Sequence, residues 1–347
     1  MMEPAVSVCL PTLNSRRFLA ERLESIRRQT CTDWEIIAVD SHSEDGTLEL
    51  LQQLAREDAR IRLHHAPADG IYPNINRCVS LAQAPHIYIA TSDDTMAPDC
   101  LEKLVAALQT HGDCDLAHCE LRIIDEQGCS MPDWWSKTSI FARSSGSLLH
   151  QMHIRRAPFD GLLHLVGAIV YTSLTQLLIR RSLFTRVGLF KPHWGSIGDF
   201  NWNMRACLVA NTVHVPNTWG GFRIHASQAT AAVNFGSSEH LRRINEMIED
   251  ALRSSKGHLS SRIGARQIDA WLNDAREMRG FLAELRNVTS SFQRKLFLLA
   301  LLLAGKWTAR EHVKERLHHR PAWPSPKLVQ SWLTSAGILS PLVPTES

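Results

Sequence analysis

Short apolar runs alternate with helix-spaced apolar positions over the first hundred residues, and that alternation sets the fold class. Residues 6–10, 35–39, 61–64 and 87–90 each read as a strand bounded by a polar turn. Between them Phe18, Leu19, Leu23 and Ile26 recur at helical spacing, and Leu48, Leu51 and Leu54 do so after Thr47. Cys78, Val79, Leu81 and Ala82 close a third helix, and Leu101, Leu104, Val105 and Leu108 mark a fourth. Strand followed by helix, repeated, predicts an α/β sheet whose functional groups gather at the carboxyl ends of the strands.

From about residue 115 the pattern loosens. A long irregular stretch, 130–160, predicts either a functional loop or short helices without a visible period. It holds Trp134 and Trp135, a sugar platform or core packing, and Arg155 and Arg156, a pyrophosphate contact or a plain surface pair. From residue 239 the chain reads as helical, with Leu241, Ile244, Met247, Ile248, Ala251 and Leu252 on one face. Helical segments continue to about 320, ahead of prolines at 321, 324 and 326. Residues 292–310, apolar with Arg294, Lys295, Lys306 and Arg310, predict a buried helix or one lying on an anionic membrane.

Composition narrows this little but usefully. A chain of 347 residues with 44% hydrophobic and 21% charged content is globular, and a net charge of +3 argues against nucleic acid as a partner. The eight cysteines include no CxxC pair, so reduced thiols are expected, and His111, Cys114, His118 and Cys119 fit no common zinc spacing. With no secretory signal and no apolar run near the roughly 20 residues of a spanning helix, a cytoplasmic location is expected.

The candidate chemistry begins with Asp93 and Asp94, directly after the apolar run 87–90. Two acids at the end of a buried strand need positive charge nearby, and Mg²⁺ binds through one or two carboxylates together with substrate phosphates. Three strand ends converge in the expected sheet: 11–14, 40–46 and 91–94. There is neither a GxGxxG after the first strand nor a GxxxxGK[ST], so a nucleotide would be held by side chains and metal.

Pro11-Thr12-Leu13-Asn14, Val39-Asp40 with Ser43-Glu44-Asp45-Gly46-Thr47, Asp69-Gly70-Ile71-Tyr72 with Asn76, and Ser92-Asp93-Asp94 together resemble the family 2 glycosyltransferases. Downstream, 198–205 (Gly-Asp-Phe-Asn-Trp-Asn-Met-Arg) and Phe222-Arg223-Ile224-His225 are similar to that family's acceptor-side segment and closing R-x-H element. The resemblance implies a GT-A fold, a mixed sheet flanked by helices with a C-terminal helical extension. It implies a catalytic domain over 1–236, divided into a nucleotide half (1–110) and an acceptor half (111–236), and an extension over 237–347.

The implied activity is inverting transfer of a sugar from a nucleotide diphosphate to a glycan or lipid-linked glycan, with Mg²⁺ or Mn²⁺, in cell-surface polysaccharide assembly. The competing readings are a sugar nucleotidyltransferase and a catalytically silent sugar-nucleotide or glycan-binding domain. Asp199 is the implied base. Pro11, Thr12, Asn14, Asp40, Asp69, Tyr72, Arg77, Asp93 and Arg223 are implied in donor binding, and Asp94 and His225 in metal binding. Two departures from the family pattern stand out: Ser41 replaces a second Asp, and Ser92 opens the acidic triplet.

Overall fold

The computed structural model describes residues 3–131, 134–165, 169–231, 233, 237–260, 264, 266–273, 276, 329–330, 333–334 and 342–345. Four parallel strands form the N-terminal half of its sheet: β1 (Val6–Thr12), β2 (Trp34–Asp40), β3 (Ile61–His65) and β4 (His86–Ile89). They are the four apolar runs of the sequence. The rest comprises β5 (Thr95–Met96), β6 (Cys114–Ile124), β7 (Ser130–Met131), β8 (His153–Arg155), β9 (Leu177–Arg180), β10 (Asn211–Arg223) and β11 (Leu342–Pro344). The order across the sheet is β11-β8-β10-β6-β9-β4-β1-β2-β3, with β5 on β10 and β7 on β6. The antiparallel β9, lying between β4 and β6, makes the sheet mixed.

The near-continuous apolar runs reflect burial on both faces. Val8, Leu10, Ile36, Ala38 and Tyr88 point to one side, against α1 (Arg16–Arg27), α2 (Thr47–Glu57) and α4 (Cys100–Thr110). Cys9, Ile37, Val39, Ile87 and Ile89 point to the other, against α3 (Ile71–Leu81) and the later helices.

The stretch 130–160 does hide short helices: α5 (Trp134–Thr138), α6 (Ile140–Ser145), a 3₁₀ turn (Gly146–His150) and the start of α7 (Phe159–Leu165). Trp135 is core, not platform. Arg155 is no surface residue either: its fully buried guanidinium pairs with Asp160, with Nε 2.9 Å from both carboxylate oxygens. Arg156 does lie outside, paired with Asp113. Beyond α8 (Arg181–Val187) and α9 (Gly198–Val209), α10 (Ser238–Ser260) buries Ile244, Met247, Ile248, Ala251 and Leu252, the face its spacing predicted. Residues 292–310 and the prolines at 321–326 lie outside the described residues. Among those described, no helix is long and apolar enough to cross a membrane.

A row of buried histidines crosses three adjacent strands: His118 on β6, His214 on β10 and His153 on β8 share one register level. Carbonyls only accept, so His214 Nε2 donates to Leu149 O (2.9 Å) and His153 Nδ1 to Gln151 O (3.0 Å). His214 Nδ1 then accepts from His118 Nδ1 (3.2 Å), whose Nε2 accepts from Gln176 Nε2 (3.1 Å). The hydrogen bonds define a neutral row. Burial above all holds these rings below their ordinary value of 6.5: His118 well below, His153 at about 4 and His214 at about 3.

A histidine kept neutral by folding but protonated on unfolding stabilises the native state fully above its unfolded pKa and progressively less as pH falls toward the folded value. The unfolding free energy from urea denaturation should therefore drop between pH 7.5 and pH 5, by about 2 kcal/mol for each ring. His153→Gln, which keeps a donor for Gln151 O, should remove part of that slope. An unchanged slope in the variant would contradict the assignment.

Candidate active site at the carboxyl ends of the strands

The turns after β1 and β2 are stitched together by the side chains singled out in the sequence. Asn14, in a left-handed conformation (φ 49), donates its N–H to Ser43 Oγ and accepts Glu44 N–H on its own amide oxygen, both at 2.9 Å. Ser15 N–H reaches Thr47 Oγ1 (2.8 Å) and Arg16 N–H reaches Asp45 Oδ2 (2.9 Å). Ser92 Oγ lies 2.9 Å from Ser15 Oγ and ties in the exit of β4. The three strand ends do meet.

Asp40 is locked into this arrangement. Expected to contact a base, it is fully buried. One oxygen accepts from the Thr12 and Ser43 hydroxyls (2.8 and 2.6 Å), and the other accepts Ser43 N–H (2.9 Å). Asp40 shapes the turn. Thr12 is likewise consumed by that bond, and Pro11 is buried within β1. Asn14 stays at the surface.

The two adjacent acids part company. Asp94, expected to bind metal, is 1% exposed. Its Oδ1 accepts Arg223 N–H (3.0 Å), and its Oδ2 accepts the hydroxyls of Thr91 and Ser173. Burial and the Asp93 charge push its pKa up to about 7, against the pull of Thr91, Arg223 N–H and the buried Arg22 guanidinium. Asp93 is the more exposed of the two, and its Oδ2 lies 2.9 Å from His225 Nε2. The His225 ring packs against Phe18 at 4.8 Å, and its Nδ1 lies 3.0 Å from Ser227 Oγ.

Arg223 is also turned inward. Its side chain, expected to bind donor, is fully buried and spends its N–H groups on protein. Nε donates to Asp93 O (2.8 Å), Nη1 to Asp125 O and Glu126 O (3.0 and 3.3 Å), and Nη2 to Glu21 (2.6 Å). Arg77, also expected at the donor, forms an exposed pair with Asp69 at 2.7 and 2.6 Å and donates to Asn74 Oδ1.

Asp199 opens α9, whose N-terminal N–H groups favour a negative charge. Its Oδ1 accepts Phe200 N–H (3.0 Å) and lies 3.0 Å from the Tyr72 hydroxyl. Burial raises its pKa, while Tyr72 and Phe200 N–H hold it down. Tyr72, expected to bind donor, is 5% exposed, stacked on Phe190 and hydrogen-bonded to Asp199. Helix α3 links the halves, because Asn74 bonds Ser41 beside Asp40 while Tyr72 reaches Asp199. Sequence reading missed Ser173, Glu21 and Arg22. Only the placement of Arg22 on the apolar side of α1, level with Leu19 and Ile26, hinted that it is buried.

Asp93 and His225 bring a carboxylate oxygen and an imidazole nitrogen together, and no group of three or more potential ligands exists among the described residues. Such a pair fits Mg²⁺ or Mn²⁺ completed by substrate phosphates, and fits poorly the closed all-protein cage of a structural zinc site.

Known proteins extend the picture. Residues 7–162 match the model of glycosyl transferase family 2. A PGL/p-HBAD biosynthesis glycosyltransferase of Mycobacterium tuberculosis (strain ATCC 25177 / H37Ra) is 27% identical over 231 residues, 64% of this chain and 80% of that protein. Staphylococcus aureus TarS 1–349 in complex with UDP-GlcNAc superposes with a TM-score of 0.55 at 15% identity, covering 90% of this chain and 91% of that one. The mannosyltransferase PcManGT of Pyrobaculum calidifontis, in complex with GDP-Man and Mn²⁺, gives 0.52 at 17%, covering 97% and 87%. These likenesses carry the fold, and it is the GT-A fold the sequence implied.

Arg223→Met should leave carbonyl groups at Asp93, Asp125 and Glu126 without their donor and lower stability by about 2–3 kcal/mol in urea denaturation. Arg77→Ala, which breaks an exposed pair, should leave the urea midpoint unchanged. The opposite ranking would show that Arg223 is free to meet a ligand.

Proposed function

We propose, from the premise that this chain belongs to glycosyl transferase family 2, that it moves a sugar from a nucleotide diphosphate to a hydroxyl of a glycan or lipid-linked glycan, with inversion at the anomeric carbon. The observation that carries the mechanism is the half-buried Asp199, with Oδ1 tied down by Tyr72 and Phe200 N–H and no protein donor on Oδ2 among the described residues. Oδ2 takes the proton of the acceptor hydroxyl as the new C–O bond forms and the bond from the anomeric carbon to the diphosphate oxygen breaks. One carboxylate on the acceptor side supports a single displacement, hence inversion. Burial suits the base, because a raised pKa brings it nearer the pH at which it works.

Asp93 and His225 would hold a divalent cation, Mg²⁺ or Mn²⁺, which as a Lewis acid stabilises charge on the leaving diphosphate. Asn14 lines the donor pocket, while Thr12 and Asp40 shape the turns behind it. The name of the mycobacterial relative supports a glycolipid or surface-glycan acceptor, and the two solved neighbours support a UDP- or GDP-linked donor. We assign the catalytic domain to residues 1–236 and leave 237–347 as its extension, although α10 docks firmly through Lys191–Asp250 (2.7 Å) and Asn201–Met247 (2.9 Å).

Asp199→Asn should lower kcat by about 10²–10⁴ while donor affinity by calorimetry stays within about twofold. Turnover at the normal rate would remove Asp199 from the role. Asp93→Asn should raise the Mn²⁺ concentration needed for half-maximal activity by about tenfold or more, the loss of one charged ligand. An unchanged metal titration would refute the Asp93–His225 pair as the metal site.

A further inference from the structure

Tyr72 occupies a seat built from three sides. It lies in the first turn of α3, which Gly70 (φ 114) precedes, and its ring stacks on Phe190 at 5.4 Å with an interplanar angle of 16°. Phe190 is itself fixed by two bonds to Asn76: its carbonyl accepts from Nδ2 at 2.8 Å and its N–H donates to Oδ1 at 3.0 Å. The third side is Gly198, where a Cβ would stand 2.8 Å from Tyr72 Cε2, a distance no real Cβ tolerates. The residue before Asp199 is thus glycine because a tyrosine ring passes there.

This seat leaves the hydroxyl one place to go. It lies 3.0 Å from Asp199 Oδ1 and 3.2 Å from Ser196 O, and its single proton goes to the carboxylate when Asp199 is ionised, because charge-assisted hydrogen bonds are the stronger ones. Phe200 N–H already holds the same oxygen at 3.0 Å. Two donors on Oδ1 fix the plane of the carboxylate.

We infer that Tyr72 is a positioning residue for Asp199: its hydroxyl binds Oδ1, orients the carboxylate and reserves Oδ2 for the acceptor's proton. The inference rests on the reading of Asp199 as the base. It also explains why an aromatic of this kind stands in the D-G-I-Y segment, since phenylalanine fills the same space without a donor. Tyr72 acts only when a negative charge is on Asp199. Burial pushes the carboxyl's pKa up, and the Tyr72 and Phe200 donors oppose it, with no charged side chain among the causes.

Tyr72→Phe, with Asp199→Asn assayed in parallel on the full chain, tests the assignment. The Phe variant should keep its melting temperature within a few degrees and its donor KM within about twofold, lose roughly tenfold in kcat, and shift the acid limb of its kcat–pH profile to higher pH. A Tyr72→Phe enzyme with unchanged kcat and acid limb, beside an inactive Asp199→Asn enzyme, overturns the role of Tyr72 and leaves the base reading standing. A slower enzyme with an unmoved acid limb also overturns it, because loss of packing alone has no reason to move that limb. An active Asp199→Asn enzyme overturns both.

Discussion

A buried carboxylate holds the site together. Asp94 receives the backbone of β10, the hydroxyl of Thr91 at the exit of β4, and Ser173 from the turn before β9, so three separated segments end on one side chain. Such a group is costly to bury unless each oxygen is satisfied, and both are. Asp93 keeps its side chain partly open, and Arg223 Nε holds its carbonyl. Asp93 and His225 are brought together by the antiparallel pairing of β5 with the end of β10.

The first half of the fold was legible because its physics is local. The four parallel strands are short apolar runs, and α1, α2, α3 and α4 repeat apolar residues at helical spacing, so period and burial coincide. The stretch 130–160 was illegible for the converse reason: its helices, such as α6 over Ile140–Ser145, span fewer than two turns and show no period. Nor could sequence tell Asp93 from Asp94. Adjacent residues beyond a strand end have no fixed face, and only tertiary partners, Arg223 and Ser173, decide which one turns inward.

Candidate site residues divide in the same manner. Asp199 lies in the first turn of α9 and His225 just after β10, so a regular element sets the direction of each. Asp40, Arg223 and Tyr72 are each held by protein groups, because a polar residue in a motif can serve the scaffold as well as a ligand. The apparent binding turns at 11–14 and 40–47 use most of their hydrogen bonds on each other. That is rigidity, and a site that must distinguish one hydroxyl from another requires it.

The same logic accounts for α9, a helix with Asn201, Asn203 and Arg205 buried among Phe200, Trp202 and Met204. Arg205 donates to Asn201 and to the carbonyls of Val187 and Leu189, while Asn201 turns outward to Met247 O and Asp250 of α10. Trp202 Nε1 donates to Gly188 O at 2.9 Å, so the segment 187–189 is held from two side chains one turn apart. A purely apolar α9 would pack, but it would slide, since apolar contacts have no direction. Directional bonds fix its rotation about its own axis, and with it the direction of the carboxylate at its first turn. Asp199 is thus aimed from both ends: from below by the polar spine of its own helix, and from beside by the hydroxyl of Tyr72.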